Sequence, residues 1–445
     1  MKQRRIGALL LAAALTTGML AGCGDNGSNE TGADAAENTA QTAESAETAD
    51  AVKVESETAE SETAIEPCEI TFWHAMSEQQ EVTLTELTEQ FNNENEYGIK
   101  VTLVNQGYYS DLSTKLTANA AADTLPDMAQ AYNSWLIPYL DKVVHLDDFV
   151  ANDYDNYDDI IESYRKECSQ FGFIAAMPFN KSTYVYFYNK TLFDELGLSA
   201  PETWEDVETV GEVFQTEKGM VSLGFDDMAG MLEASLKQDG GDYVTEEGAQ
   251  FDNEIGLETV TYIMNLYSKG YARLVGEDGY FSGPLSNQMI AAYIGSSTGV
   301  SYIDTSSGWE LGVAPLPGNK EKAANQAGTN LVMFAQDENK QKAVWEYMKF
   351  LTSEEATVKW TMETGYLPVR TSAYESDTYQ EFMKNDPTAT ASYAQADSFF
   401  SSPAFDGSYD IQSAVNAKLE ELILNDADPE TALSELVDAV NAETK

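Results

Sequence analysis

Apolar residues recur with two different periods from residue 69 onward. A β-prone run at 69–73 precedes a segment in which Leu84, Leu87 and Phe91 are three and four positions apart. That spacing predicts a helix. A second β-prone run follows at 99–104. The order strand, helix, strand predicts a β-α-β unit with parallel strands and a right-handed crossover.

The same alternation continues toward the C-terminus. Residues 109–121 predict a helix, 127–131 and 173–178 predict strands, and 343–351 predict an amphipathic helix. The fold class indicated by this pattern is α/β. Paired helix-start signals predict three later N-termini, at Thr203 with Asp206, Thr352 with Glu355, and Asp428 with Pro429.

The N-terminal segment has a different character. Lys2, Arg4 and Arg5 precede the mainly apolar run 6–21, which is too short to span a bilayer as an ordinary helix. The run ends just before Cys23, and the whole segment resembles a bacterial lipoprotein signal peptide. We predict that residues 1–22 are removed and that Cys23 is lipidated. The alternative is a secretory signal with a chance cysteine.

Composition limits the partners of the chain. Segment 23–66 has almost no large apolar residue, so it buries too little surface to offset its ordering entropy, and we expect a disordered acidic linker. In the whole chain, 75 acidic residues against 25 basic ones give a formal net charge of −50. This charge disfavours nucleic acid and anionic membrane surfaces as partners.

Few side chains suit catalysis or metal binding. His74 and His145 are the two histidines, and the sequence has no zinc, Ser-His-Asp or Walker-type motif. Carboxylate pairs for glycoside hydrolysis are inevitable among 75 acidic residues and therefore uninformative. We predict no enzyme activity, no metal and no cofactor. Cys68 and Cys168 could form one disulfide or remain free thiols.

A series of short motifs runs along the chain. They include Thr71-Phe72-Trp73-His74, Gly107-Tyr108-Tyr109-Ser110-Asp111-Leu112, Leu125-Pro126-Asp127-Met128, Pro178-Phe179-Asn180-Lys181-Ser182-Thr183, Ala314-Pro315-Leu316-Pro317-Gly318, Gly328-Thr329-Asn330 and Gly365-Tyr366-Leu367-Pro368-Val369. Each motif is weak alone. In this order and spacing they resemble the bacterial ABC-transporter solute-binding proteins for sugars and related polyols.

The resemblance implies a two-lobed fold, the type II fold of periplasmic binding proteins. Its doubly wound α/β sheets would be joined by a hinge that the chain crosses three times. Lobe 1 would comprise 67–178 plus 329–369, and lobe 2 would comprise 179–328 plus 370–445.

The same resemblance implies a set of ligand contacts. Carried over from the glycerol-3-phosphate-binding members of the family, they fall on Tyr109, Asn133, Ser182, Ser296 or Ser297, Gly328 and Tyr366. Two positions depart from that pattern. Asn133 replaces a glutamate, and the arginine that would face the phosphate falls at about Ala404, within 402–405, with no basic residue nearby. A phosphate without a fixed guanidinium loses its strongest bonds, so we expect a different ligand.

The residue types favour a neutral carbohydrate. Sugars stack their C–H faces on aromatic rings and pair their hydroxyls with polar side chains. Candidate residues are the aromatics Trp73, Tyr109, Trp135, Tyr184 and Tyr366 and the polar Asn133, Asp226 and Asp227. Trp73 and Tyr184 are equally compatible with core packing. Tyr109 and Tyr366 follow turn residues, and we expect both rings to be exposed at the mouth of the cleft.

The expected function follows from these points. We expect a monomeric, lipid-anchored subunit of an ABC importer on the extracytoplasmic face of a bacterial cell membrane. It would bind a neutral sugar or oligosaccharide between its lobes, close on it, and deliver it to a membrane permease. The alternative is a surface lipoprotein that binds or hydrolyses polysaccharide.

Overall fold

A computed structural model of the protein describes residues 65–444. The predicted signal peptide, Cys23 and nearly all of the predicted linker lie outside the described residues. The strands, in chain order, are β1 (Glu69–His74), β2 (Lys100–Asn105), β3 (Met128–Ala131), β4 (Met177–Pro178), β5 (Ser182–Asn189), β6 (Val244–Thr245), β7 (Gly248–Ala249), β8 (Ala292–Ser296), β9 (Leu311–Ala314), β10 (Ala324–Ala327), β11 (Asn330–Met333) and β12 (Phe399–Ser401).

The helices connect and cover these strands. In chain order they are α1 (Glu78–Glu94), α2 (Tyr109–Ala121), α3 (Asn133–Leu136), α4 (Asp147–Asp153), α5 (Glu162–Cys168), α6 (Lys190–Leu196), α7 (Trp204–Lys218), α8 (Met228–Gln238), α9 (Glu254–Ser268), α10 (Ser282–Ser286), α11 (Glu338–Leu351), α12 (Glu354–Thr364), α13 (Thr371–Glu375), α14 (Asp377–Met383), α15 (Pro387–Ala394), α16 (Ser408–Leu424) and α17 (Pro429–Glu443).

Most strands belong to two separate sheets. The first has the order β2-β1-β3-β11-β4, and the second has the order β12-β10-β5-β8 with β9 also paired to β5. In the first sheet β1 is parallel to β2 and β3, whereas β11 is antiparallel to β3 and β4. The predicted α/β class and the predicted parallel β-α-β unit are confirmed.

The chain passes between the two sheets at narrow connections. It leaves the first sheet after β4, enters the second at β5, and returns between β10 and β11. Gly328 lies in the return connection with a φ of +113°, and a Cβ there would lie 1.6 Å from the carbonyl oxygen of Asn180. Only glycine fits this close approach of two passages.

A third passage follows Arg370. Helices α13 and α14 pack against α12, beside the first sheet, while α15 contacts β5 and β9 of the second sheet. The chain therefore changes sides gradually over 371–394 rather than at a single residue. The exact lobe boundaries stay a prediction.

Two expectations of local structure are wrong. Helix α12 is capped by Ser353, whose side chain accepts from the backbone N–H of Ala356, while the buried Thr352 hydroxyl bonds back to Met348 of α11. The strand expected over 173–178 is limited to β4, because the backbone N–H of Ala175 is bonded to the carbonyl of Cys168. By contrast, the capping box of Thr203 with Asp206 and the N-terminal Pro429 are confirmed.

His74 and the cysteines Cys68 and Cys168 are packed into the fold. His74 is buried, and burial lowers the pKa of its imidazole to about 4, while Nδ1 accepts from the backbone N–H of Met76. Cys68 and Cys168 are free thiols, and burial raises the pKa of each. Within 65–444, no helix is long and apolar enough to cross a membrane, and no metal-binding group of three or more His, Cys, Asp or Glu residues occurs.

Candidate ligand-binding site

A cavity lies where segments from both sides of the molecule meet. Its volume is about 140 Å³. From the side of the first sheet, the residues after β3 and the end of α5 contribute; from the other side, β5, α8, β10 and the segment between β12 and α16 contribute. The cavity therefore lies between the two sheets, at connections that join them.

The polar lining is acidic. Three carboxylates line the cavity, those of Glu167, Asp227 and Glu233. Among the described lining residues there is no lysine, arginine or histidine. Ala404, near which the family resemblance would place an arginine, is a lining residue. The site is thus suited to hydroxyl or cationic groups and repels anions.

Asp227 is occupied by structural hydrogen bonds. It caps α8 by accepting from the backbone N–H of Gly230 at 3.2 Å. The hydroxyl of Tyr184 donates to Oδ2 at 2.5 Å, and Asn416 and Gln412 of α16 donate at 3.0 and 2.9 Å. Both of its oxygens are therefore satisfied by the protein, and Asp227 holds α8, β5 and α16 together.

Glu167 is part of a polar network between the sheets. Its Oε1 accepts from the ammonium of Lys181 at 2.7 Å and from Asn330 at 3.0 Å, and its Oε2 accepts from Gln326 at 2.6 Å. Lys181 is fully buried. These partners stand in the β4–β5 connection, β11 and β10, so Glu167 ties α5 to three strand segments at the hinge.

Glu233 is less well satisfied. Its Oε2 accepts from the Ser402 hydroxyl and, at 3.2 Å, from Asn325. Desolvation raises the pKa of this carboxyl to about 7, and the neighbouring charge of Asp227 adds to the increase. Only 5% of the residue is exposed. At neutral pH the group is therefore poised between its charged and neutral forms.

Tyrosines form much of the aromatic lining. Tyr132, Tyr184, Tyr243 and Tyr409 line the cavity. Behind them lies Trp135, whose ring centroid is 4.9 Å from that of Tyr132 and 6.1 Å from that of Tyr409. Because Tyr132 follows β3 and Tyr409 belongs to α16, this aromatic cluster spans both sides of the cavity.

The structure brings some predicted site residues to the cavity itself. Asn133 and Gly328 line it, as does Tyr184. Asn133 is held between the Glu167 carbonyl, to which its amide donates at 2.7 Å, and Asn330, which donates to it at 3.0 Å. Its side chain therefore stabilises the wall of the cavity.

Tyr109 and Trp135 lie in the layer behind the lining. The Tyr109 ring is 5.7 Å from Tyr132 and 6.2 Å from Trp135. Its hydroxyl is 3.0 Å from that of Tyr366. The expectation that both tyrosine rings are exposed is wrong for Tyr366, which is 5% exposed and stacks on Trp360 in the core at an interplanar angle of 9°.

The other predicted site residues lie away from the lining of the cavity. Ser182 begins β5 opposite Ala327. Ser296, at the end of β8, pairs its hydroxyl with Thr298, and the buried Ser297 donates to the Gly365 carbonyl at 3.1 Å.

Two further candidates stand elsewhere. Trp73 is half-buried beside the cluster that contains Trp135. Asp226 accepts from the backbone N–H of Phe281 at 2.8 Å, and desolvation raises the pKa of its carboxyl to about 7. The ligand contacts of all these residues stay predictions.

Sequence reasoning missed several lining residues, namely Tyr132, Glu167, Glu233, Tyr243, Gln326 and Tyr409. A signal existed for two of them. Tyr132 directly precedes Asn133 at a strand end, and Glu233 is a lone acidic residue in the otherwise buried, largely apolar face of α8. The others come from separate segments that only the tertiary fold unites.

Comparison with known proteins decides the family. Residues 86–391, more than half of the chain, match the family model described as bacterial extracellular solute-binding protein. The chain belongs to this family. As a solute-binding protein of this kind, it is the extracytoplasmic component of an ABC importer.

Individual relatives agree with the family assignment. The sn-glycerol-3-phosphate-binding periplasmic protein UgpB of Pectobacterium atrosepticum is 24% identical over 405 residues, covering 84% of this solute-binding protein and 90% of that one. The cyclic alpha-maltosyl-1,6-maltose binding protein from Arthrobacter globiformis has a TM-score of 0.75 at 23% identity, covering 85% and 99%. UgpB from Mycobacterium tuberculosis, solved with glycerophosphocholine, has a TM-score of 0.75 at 21% identity, covering 84% and 98%. The predicted type II fold is confirmed.

Proposed function

We propose that the protein is a lipid-anchored binding subunit that captures a neutral sugar or oligosaccharide in the cavity and delivers it to an ABC permease. The observation that carries the proposal is the lining of the cavity. Tyrosine rings stand beside amide, hydroxyl and carboxylate groups, without a basic side chain among the described lining residues. This is the chemistry that recognises sugar faces and hydroxyls.

The lining also argues against a phosphate ligand. Relatives of this chain include proteins named for glycerol-3-phosphate, and one solved relative holds glycerophosphocholine. Here Ala404 lines the cavity, and the buried Lys181 is paired with Glu167 at 2.7 Å. A phosphate would meet three carboxylates and no free cation from the described lining. The structural relative that binds a cyclic maltosyl-maltose is thus the better guide to ligand class.

Closure of the two lobes would couple binding to transport. Groups from both sides line the same cavity, so a ligand there would bond to both. A ligand shifts a conformational equilibrium only by its difference in affinity for the two states. A sugar that completes contacts on both sides binds the closed state more tightly and stabilises it.

No catalysis is part of the proposal. The relatives are named as binding proteins, and Asp227 and Glu167 have both carboxylate oxygens engaged by the protein. The expected partners are a membrane permease and, through Cys23, the lipid bilayer. We expect the subunit to act as a monomer and to need no cofactor.

Thermal-shift screening tests the proposed ligand class. A ligand present at a hundred times its dissociation constant adds about 2.7 kcal/mol to the free energy of unfolding. We expect one or more neutral mono- or oligosaccharides to raise the midpoint temperature of unfolding of the purified protein. Release of reducing ends from a stabilising oligosaccharide would favour the hydrolytic alternative and contradict the proposal.

A further inference from the structure

Glu233 presents a buried carboxylate that the described protein atoms satisfy on one side only. Its Oε2 accepts from Ser402 and Asn325, whereas its Oε1 has no hydrogen-bond donor among residues 65–444. The other two carboxylates of the cavity differ, because Asp227 and Glu167 each receive donors on both oxygens. Oε1 is not among the buried polar atoms that lack a partner, so it stays accessible from the cavity, where a bound molecule can donate to it.

The carboxylate of Glu233 also lacks a cation at ion-pair distance among the described residues, although Lys237, one turn along α8, lowers its pKa through space. Lys237, on the same helix, is nearly half exposed and faces Asp242 at 3.7 Å. Lys181 is engaged by Glu167. Asp227 adds a second negative charge nearby. A carboxylate kept in this setting is costly for folding, which is typical of groups that serve binding rather than stability.

Other unpaired polar atoms lie in the same lining. The Oδ1 of Asn325, the Oε1 of Gln326 and the hydroxyl of Tyr243 are buried and have no hydrogen-bond partner in the described part of the chain. Each of these residues lines the cavity together with Glu233. Three of the four groups are acceptors, and the phenol can donate or accept. Their complement is a ligand with several hydroxyl donors.

We propose that Glu233 is a ligand-binding residue whose free Oε1 accepts hydroxyl hydrogens of the sugar, with Tyr243, Asn325 and Gln326 completing the same subsite. This inference rests on the proposed function, since it assigns the polar contacts of that cavity. It has a second consequence. The carboxylate weakens the unliganded protein, so its removal lowers affinity without lowering stability.

Calorimetric titration of matched variants tests the inference. The probes are maltose, maltotriose, cellobiose, D-galactose and D-mannose, titrated into wild type and Glu233→Gln. We expect a sugar that binds the wild type to bind Glu233→Gln at least tenfold more weakly. The thermal midpoint of the unliganded variant at pH 8 should equal or exceed that of the wild type.

Two further variants keep the test decisive. Tyr243→Phe removes only a hydroxyl and should weaken the same sugar at least threefold, even if Glu233→Gln does not fold. Asp386→Asn is the control. Asp386 is also a carboxylate whose pKa is raised by burial, but it caps α15 and does not line the cavity. The affinity of this variant for the sugar should stay within twofold of the wild-type affinity.

The outcomes separate the inference from the function on which it rests. Binding of a sugar with equal affinity by wild type, Glu233→Gln and Tyr243→Phe would overturn the inference and leave the proposed function standing. Failure of every probe to bind the wild type would overturn both.

Discussion

At the scale of single residues, Glu233 makes the stability of the unliganded protein depend on pH. Burial raises the pKa of its carboxyl from an ordinary 4.5 to about 7. Between these values the folded protein binds more protons than the unfolded chain, so the free energy of unfolding falls as the pH rises. We expect Glu233→Gln to raise the thermal midpoint at pH 8 and to change it much less at pH 5.

Neighbouring groups define the control for this measurement. Asp227 raises and Lys237 lowers the pKa of Glu233, while Tyr184 and Tyr243 are uncharged in this range because burial raises their pKa values. Asp226, with a pKa also raised to about 7, titrates in wild type and variant alike. Thermal unfolding of wild type and Glu233→Gln at pH 5 and pH 8 therefore isolates the effect of the Glu233 charge on stability. The same midpoint difference at pH 5 and pH 8 would show that its charge has no such effect.

Tyr366 and Tyr109 should differ when each is replaced by alanine. Tyr366 is core, so Tyr366→Ala should cost about 3–5 kcal/mol of unfolding free energy, the usual range for a large buried aromatic. Tyr109 is half-buried, so Tyr109→Ala should lower the free energy of unfolding by less. Tyr366→Phe, which loses only the hydrogen bond to Tyr109, should lower it by about 1 kcal/mol. Urea unfolding measures all three. A smaller loss for Tyr366→Ala than for Tyr109→Ala would contradict the packing described.

At the scale of elements, the ion pair of Lys181 with Glu167 joins the segments that meet at the hinge. Removing one partner of a buried ion pair leaves an uncompensated charge, so Lys181→Met should lower the free energy of unfolding by about 3–5 kcal/mol. The double variant with Glu167→Gln should cost clearly less than the sum of the two single variants. Urea unfolding of all four proteins completes the cycle, and strict additivity would show that the two charges are not coupled.

Local signals explain which elements could be predicted. The Thr203 capping box and the spacing of Leu84, Leu87 and Phe91 involve neighbours in sequence, and both correspond to observed helices. The start of α12 was misplaced by one residue, because Thr352 and Ser353 both suit a cap and only tertiary packing buries the first. Such competition between adjacent residues is invisible to a sequence pattern.

The candidate site was harder to predict than the fold. Asn133 and Gly328, which were carried over by position from the family resemblance, both line the cavity. Glu233 acquires its role through Ser402, which is 169 positions away, and through Asn325, 92 positions away. Tyr366 was expected at the cleft because a turn precedes it, yet its ring stacks on Trp360 in the core. Contacts of such long range depend on how the two sheets are joined.

At the scale of the whole molecule, the anchor is tested at Cys23, which lies outside the described residues. Without its thiol no diacylglyceryl group can be attached, so Cys23→Ser should release the body into the medium or leave an unprocessed precursor. Cell fractionation, with detection and sizing of the protein in the medium and in the membrane fraction, distinguishes these two outcomes. Normally processed protein that stays in the membrane fraction would contradict lipid anchoring at this residue.

Ligand charge is the central claim for the molecule as a whole, and one calorimetric comparison tests it most directly. The wild-type soluble body is titrated with the neutral sugar that stabilises it most and, under identical conditions, with glycerol-3-phosphate. Because three carboxylates and no basic side chain of the described residues line the cavity, we predict saturable heat from the sugar and none from the phosphate. Tight binding of glycerol-3-phosphate would contradict the account.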